Sequence, residues 1–155
     1  MKKAFTMIEL VIVIMILGIL SSVAISKMAV TRDDAIISKA RSEVAAIRNA
    51  ISLKRNTSIL MGKGASYPSK LDALNTTSSS DGQALFDYDS NNTDPDAKLL
   101  DYPIYSKSSN GWRKVANNKY TFNAIGIDVN FTYNPADGNF DCDDHTVKLC
   151  KDLTE

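Results

Sequence analysis

The sequence predicts an α+β protein: one long N-terminal helix, half membrane segment and half amphipathic, packed on a small antiparallel β-sheet. Three observations carry this. Leu10 to Ile25 is a run of sixteen residues without a charge, and no proline occurs before Pro68. From Lys27 to Asn56 there is neither Pro nor Gly, while apolar residues recur mostly every three or four positions. The last third, by contrast, alternates with period two, as in IDVNFTY at Ile127 to Tyr133.

The first element opens at KKAFTMIELVIV. Counting from Phe5 to Ile25 gives 21 residues in which Glu9 is the only ionisable side chain. As a helix they span about 31 Å, enough to cross a hydrocarbon core of about 30 Å. Lys2, Lys3 and the terminal amine place the N-terminus in the cytoplasm and everything after Lys27 outside. An ordinary secretory signal peptide has a similar outline, and Ser22-Val23-Ala24 meets its cleavage rule, which would release a soluble domain beginning at Ile25. Glu9 argues against that reading. Signal function needs no carboxylate there, and an acid at membrane depth costs about 3 kcal/mol on insertion scales. Such an acid demands a positive partner: Lys2, Lys3 or a new chain terminus.

The stretch Ala4-Phe5-Thr6-Met7-Ile8-Glu9, preceded by lysines and followed by the apolar run, resembles the processing site of type IV pilins and type II secretion pseudopilins. The resemblance implies that a prepilin peptidase cuts on the cytoplasmic side between Ala4 and Phe5 and methylates the new amine. It further implies that Glu9 pairs with the terminal amine of a neighbouring subunit as the chain enters a filament. The family usually has glycine before the cut; Ala4 is the next smallest residue, so slower or normal cleavage is expected. Independently of the family, a carboxylate opposite an ammonium in a low-dielectric bundle is neutralised as a pair, and a wrong axial register leaves both charges unpaired. Glu9 is then a register device. The structural alternative is a carboxylate that snorkels to the cytoplasmic interface of a plain anchor helix.

In the second half of the helix, Val30, Ile37, Ala40, Val44, Ile47 and Ile51 form one face, and Lys39, Arg41, Glu43, Arg48 and Lys54 lie elsewhere. A single helix from Phe5 to about Leu60 would be roughly 84 Å long, too long for a compact domain of this size. The stripe is broad and lacks sustained heptads, so it suits a sheet better than a coiled coil. Gly18 and Ser21-Ser22 are the expected places for bending. Pilins of the resembling family build such a lollipop, half the helix protruding and half packed on a C-terminal sheet.

Gly62 and Gly64 close the helix. Ala65 to Leu74 reads as a turn and then one or two helical turns, capped by Ser69, with Leu71 and Leu74 inward; its YP…L..L arrangement resembles the segment after the long helix in many pseudopilins. Residues 75–111 form a long variable connection with short irregular elements, pinned by Phe86 and Tyr88. Three or four antiparallel strands follow: Gly111 to Val115, Lys119 to Ala124, Ile127 to Tyr133 with Ile127, Val129, Phe131 and Tyr133 on one face, and a short strand from Phe140. Trp112 reads as a partly buried core or rim aromatic.

Cys142 and Cys150 both lie in the part predicted to be outside, where an oxidising compartment favours a disulfide. Closing that nine-residue loop is worth about 2–3 kcal/mol on the chain-entropy account. A metal site lacks two further ligands, since His145 is the only other soft candidate, and a redox pair lacks the C-x-x-C spacing. Asp87-x-Asp89-x-Asn91 begins like a calcium loop, but Asn92 replaces the turn glycine and Lys98 the closing glutamate. Asp137, Asn139, Asp141 and Asp143 alternate oxygens, with Lys148 in the closing position. Both are read as solvated turns, so no metal or cofactor is expected.

Charge is uneven. Lys27 to Met61 holds seven Lys/Arg against three acids, while Gly62 to Glu155 holds nine against fourteen. A basic stem beneath an acidic head favours steering between subunits. An acidic head with no basic aromatic patch is a poor DNA binder, so no direct nucleic-acid binding is expected even though related filaments serve DNA uptake. One histidine and two cysteines expected to be paired give catalysis nothing to stand on, and the chain is not expected to be an enzyme.

The expected organisation is a leader at 1–4, a transmembrane and filament-core half-helix at 5–26, an amphipathic half-helix at 27–61 and a globular head at 62–155. The resemblance implies a structural subunit of a type IV pilus-like filament, foremost a pseudopilin of a type II secretion or DNA-uptake system, assembled from the bacterial inner membrane after leader cleavage. Its partners would be other pilin-like subunits, prepilin peptidase and an inner-membrane platform with a separate ATPase. The N-terminus would be cytoplasmic, the head periplasmic, and the filament periplasmic or at the cell surface. The alternatives are a membrane-anchored periplasmic binding domain and a secreted domain with a signal peptide.

Overall fold

The computed structural model describes residues 6–74, 77–88 and 98–155. Its first helix, α1, runs Met7–Leu60, 54 residues. The chain divides into two units, Met1–Ala35 and Ile36–Glu155.

In the first unit α1 continues through Gly18 and Ser21-Ser22, the positions expected to bend. Ser22 Oγ donates to the Ile19 carbonyl at 2.8 Å, so the hydroxyl is satisfied by its own helix. Met7–Ile25 is long and apolar enough to cross a membrane, with a mean hydropathy of 2.7 over its window, and none of that window is buried in the chain itself. This apolar surface therefore has no cover from the described residues.

The second unit begins at Ile36. Ala40, Val44, Ile47, Ala50 and Ile51 of α1 are buried, following the predicted stripe; the side chain of Val30 lies outside the described residues. They share one core with a four-stranded antiparallel sheet of order β3-β4-β5-β6: β3 Gly111–Ala116, β4 Lys119–Ala124, β5 Ile127–Asn134 and β6 Asn139–Cys142. Trp112 stands opposite Phe122 and Phe122 opposite Val129, while Tyr120 stands opposite Phe131 and Phe131 opposite Cys142. Inward positions thus stack in rows, as period-two strands require. A two-residue pair, β1 Ala84–Leu85 with β2 Ile104–Tyr105, lies within the variable connection and buries Leu85 and Phe86.

Three expectations are corrected. Ala65 to Leu74 contains no helical turn. Asp72 Oδ1 accepts the Leu74 N–H at 2.9 Å, and the Tyr133 hydroxyl donates to the Pro68 carbonyl at 2.6 Å, so side-chain bonds replace the helical ladder. Leu71 is buried, whereas Leu74 is only partly so. Trp112 is fully buried, because its indole N–H donates to Glu43 Oε2 on α1 at 3.0 Å and so needs no water. Ile127 does not share the burial of Val129, Phe131 and Tyr133: it is 50% exposed, at the end of the sheet. The chain also ends in a helix that its sequence did not announce, α2 Lys148–Thr154, with Leu149, Cys150 and Leu153 buried.

Candidate functional site

At the N-terminal end the described chain starts at Thr6, so the expected scissile residues Ala4 and Phe5 lie outside the described residues. Thr6 Oγ1 accepts the backbone N–H of Glu9 at 3.4 Å, and the Thr6 carbonyl accepts the Leu10 N–H. Thr6 therefore caps α1 and puts Glu9 in its first turn, where backbone dipoles favour an anion. The T-x-x-E spacing of a capping box was the sequence signal for this. Glu9 is exposed, and no side-chain ion pair to it is present among the described residues. An accessible carboxylate thus stands on the first turn of a helix whose next sixteen residues carry no charge.

The head is fastened to its stretch of α1 by the stem's own cations. Arg48 donates to the Phe140 carbonyl at 2.9 Å and to Asp141 Oδ1 at 2.8 Å; Arg41 Nε donates to the Asp152 carbonyl at 2.6 Å. Lys39 pairs with Glu43, and Arg55 lies over the Tyr67 ring. Much of the basic stem read from the sequence is therefore engaged within the subunit, which weakens the idea of a stem free to steer a neighbour. A disulfide joins Cys142 of β6 to Cys150 of α2, with the Cα atoms 5.9 Å apart. Asp141, from the second calcium-like pattern, serves Arg48 and lies 3.4 Å from His145. Asp137 accepts from Asn139 N and Asn134 Nδ2 within its own turn. Of the first pattern, Asp89, Asn91 and Asn92 lie outside the described residues, and Asp87 accepts the Ala73 N–H.

Sequence reasoning missed a buried ionic cluster. Lys114 occupies an inward position of β3, two residues after Trp112, and is 3% exposed. Its ammonium donates to Asp72 Oδ1 at 2.8 Å and to the Leu74 carbonyl at 2.9 Å. The Tyr120 hydroxyl donates to Asp72 Oδ2 at 2.5 Å, and Asp72 is 1% exposed. The period-two position of Lys114 on the Trp112 face was the available signal, but its partner lies 42 residues away in a segment without a period.

Burial, then the Asp72 charge, pushes the Tyr120 phenol far above its ordinary value near 10. The folded state therefore keeps a proton that the unfolded chain releases above about pH 10, and stability from this group is lost as pH rises past that point. Urea denaturation at pH 9 and pH 11 is expected to show the drop, and Tyr120→Phe should shrink it. An equal drop in the variant would assign it elsewhere.

With an apolar N-terminal helix, a second helical stretch and an antiparallel sheet, the chain has an α+β pilin-like architecture. Residues 1–25 match the prokaryotic N-terminal methylation motif, the leader signature of type IV pilins and pseudopilins. No curated protein and no solved structure matches the chain. The motif is that of a structural subunit, and it implies processing by prepilin peptidase and assembly with other pilin-like subunits.

Proposed function

We propose that this protein is a filament subunit of pseudopilin type, serving a type II secretion or DNA-uptake system. It waits in the inner membrane with its head in the periplasm and is cut between Ala4 and Phe5 before assembly. The observation that carries the reading is the leader motif leading directly into a capped, apolar helix on which Glu9 is exposed, with no ion pair to it among the described residues. In the assembled bundle the methylated amine of one Phe5 meets the Glu9 carboxylate of a neighbour, and the apolar faces of Met7–Ile25 cover one another. Energy for leaving the membrane comes from a separate ATPase acting through a platform protein, since this sequence has no phosphate-binding loop. The head supplies the filament's outer surface and is held rigid by the Asp72 cluster and the disulfide.

Intact mass spectrometry of the protein from cells with its cognate peptidase tests this. The expected mass lacks Met1 to Ala4 and gains a methyl group of about 14 Da on the new α-amine, a modification that keeps its charge. A chain starting at Ile25 would instead identify a secreted domain, and an uncut chain a plain membrane anchor. A second reading, an anchored binding domain, is favoured by one feature. An open groove of about 770 Å³ between residues 39–46 of α1 and the 100–107 segment exposes Tyr102 and Tyr105.

A further inference from the structure

Lys114 of β3 stands directly opposite Tyr120 of β4, and Asp72 bonds to both. Among the described residues this is the one ion pair with both side chains buried; the pairs of Lys39, Arg48 and Arg113 are all partly open to water. The core beside it is aromatic: the Phe86 ring lies 4.5 Å from that of Tyr120, and Phe86, Trp112 and Leu71 are wholly buried. A pair in such a place adds little net stability, because desolvation of two ions offsets their attraction. Its atoms, however, are placed for a reaction. Lys114 Nζ lies 2.8 Å from Asp72 Oδ1, and Cγ is one C–O bond of about 1.2 Å further, so the nitrogen is no more than about 4 Å from the carbon.

We infer that this cluster is a modification site, at which Lys114 and Asp72 condense to an intrachain amide. The ammonium first passes one proton to Asp72 Oδ1, leaving a neutral amine beside a neutral acid with one N–H still held by the Leu74 carbonyl. The amine lone pair attacks Cγ. The N–C bond forms as the carbonyl to Oδ2 opens to an oxyanion, which the Tyr120 hydroxyl already faces at 2.5 Å. The nitrogen then gives a second proton to Oδ1, the C–Oδ1 bond breaks, and one water leaves while Oδ2 returns to a carbonyl. Nothing is oxidised or reduced, and Tyr120 keeps its own proton throughout. Burial, then the Asp72 charge, holds that phenol protonated. An open polar pocket lined by Lys114, Ser69, Lys70, Leu74, Asn117 and Asn118 gives the water its exit.

Two groups held in contact by one fold react at effective concentrations of about 100,000 M or more, which favours condensation although water is the product. The amide replaces two buried charges by one neutral group. It closes the chain across a separation of 42 residues and encloses the whole variable connection, while the disulfide staples β6 to α2. A cross-link of that span limits the unfolded chain more than the short disulfide does. The bond forms only after folding has brought β3, β4 and the 65–74 segment together. Newly folded protein therefore carries the ion pair, and aged protein the amide. The inference does not depend on the filament reading.

The test is intact mass spectrometry of the full-length, detergent-solubilised protein, sampled over days at growth temperature. A loss of about 18 Da, one water, is expected to grow with time. Trypsin does not cut at an acylated lysine, so the aged protein should release residues 71–98 joined to residues 114–119. Asp81-Gly82 and Asp137-Gly138 can lose the same mass by succinimide formation. Lys114→Arg is therefore the control, since it keeps the cation and forms no amide. Wild-type protein that melts cooperatively yet keeps its full mass would overturn the proposal, as would a loss of water that survives Lys114→Arg. Tyr120→Phe removes the oxyanion donor and, in protein shown to be folded by its melting transition, should slow the joined peptide about a hundredfold. An unchanged rate would overturn the role given to Tyr120.

Discussion

Glu9→Ala is expected to leave membrane insertion intact and to reduce incorporation into filaments about a hundredfold or more. The magnitude follows from stranding one charge: removing a single partner of a buried pair costs about 3–5 kcal/mol, and each 1.4 kcal/mol is about tenfold in an equilibrium. Membrane fractionation and sheared filaments, probed for the same protein, read the two effects separately. Glu9→Gln should fail almost as badly, because it restores a polar group but not the charge that neutralises a neighbour's amine. Wild-type incorporation by Glu9→Ala would remove the pairing from the mechanism and leave Glu9 as an anion in the first turn of α1, worth about 0.3–1 kcal/mol there.

The second large effect belongs to the head. Asp72→Ala leaves the Lys114 ammonium 3% exposed, without its carboxylate, and is expected to cost about 3–5 kcal/mol. Against a total stability of about 5–15 kcal/mol, this is enough to unfold much of the population at growth temperature. The double variant Asp72→Ala, Lys114→Met should recover most of the loss, because a buried pair is worth little net of its desolvation, whereas a buried single charge is costly. Chemical denaturation of the three proteins checks this. A double variant no more stable than Asp72→Ala would show that the cluster acts through its hydrogen bonds to Leu74 and Tyr120 and not through the ion pair.

How far the sequence could be read depended on range. α1, β4 and β5 were legible because each is defined by a period that repeats within itself: Ala40, Val44, Ile47 and Ile51 on one helix face, and Tyr120, Phe122, Val129, Phe131 and Tyr133 on one sheet face. The 65–74 segment lacks the one or two helical turns expected after its opening turn because its conformation is set from outside. Asp72, Pro68 and Ser69 bond to groups on β3, β4, β5 and the β3–β4 turn, and no local propensity reports those partners. α2 was missed for a related reason. It has seven residues, too few to be stable alone, and is held by Cys142 and by Arg41 on α1. At the candidate site, the methylation motif over residues 1–25 was legible as a local pattern, while the Thr6 cap that sets the start of α1 had its signal in the T-x-x-E spacing.

What the sequence by itself determined is the long helix, its apolar half, the methylation motif and the alternating strands, because these are patterns between near neighbours and between chain and solvent. Only the tertiary structure decided that Lys114 is buried with Asp72 and Tyr120, that Arg41 and Arg48 hold their own head, and that Ile125 sits half-exposed in a left-handed turn. Those facts depend on which distant residues meet. The energy of a buried charge or an exposed turn is fixed by that meeting and not by the residue's place in the chain.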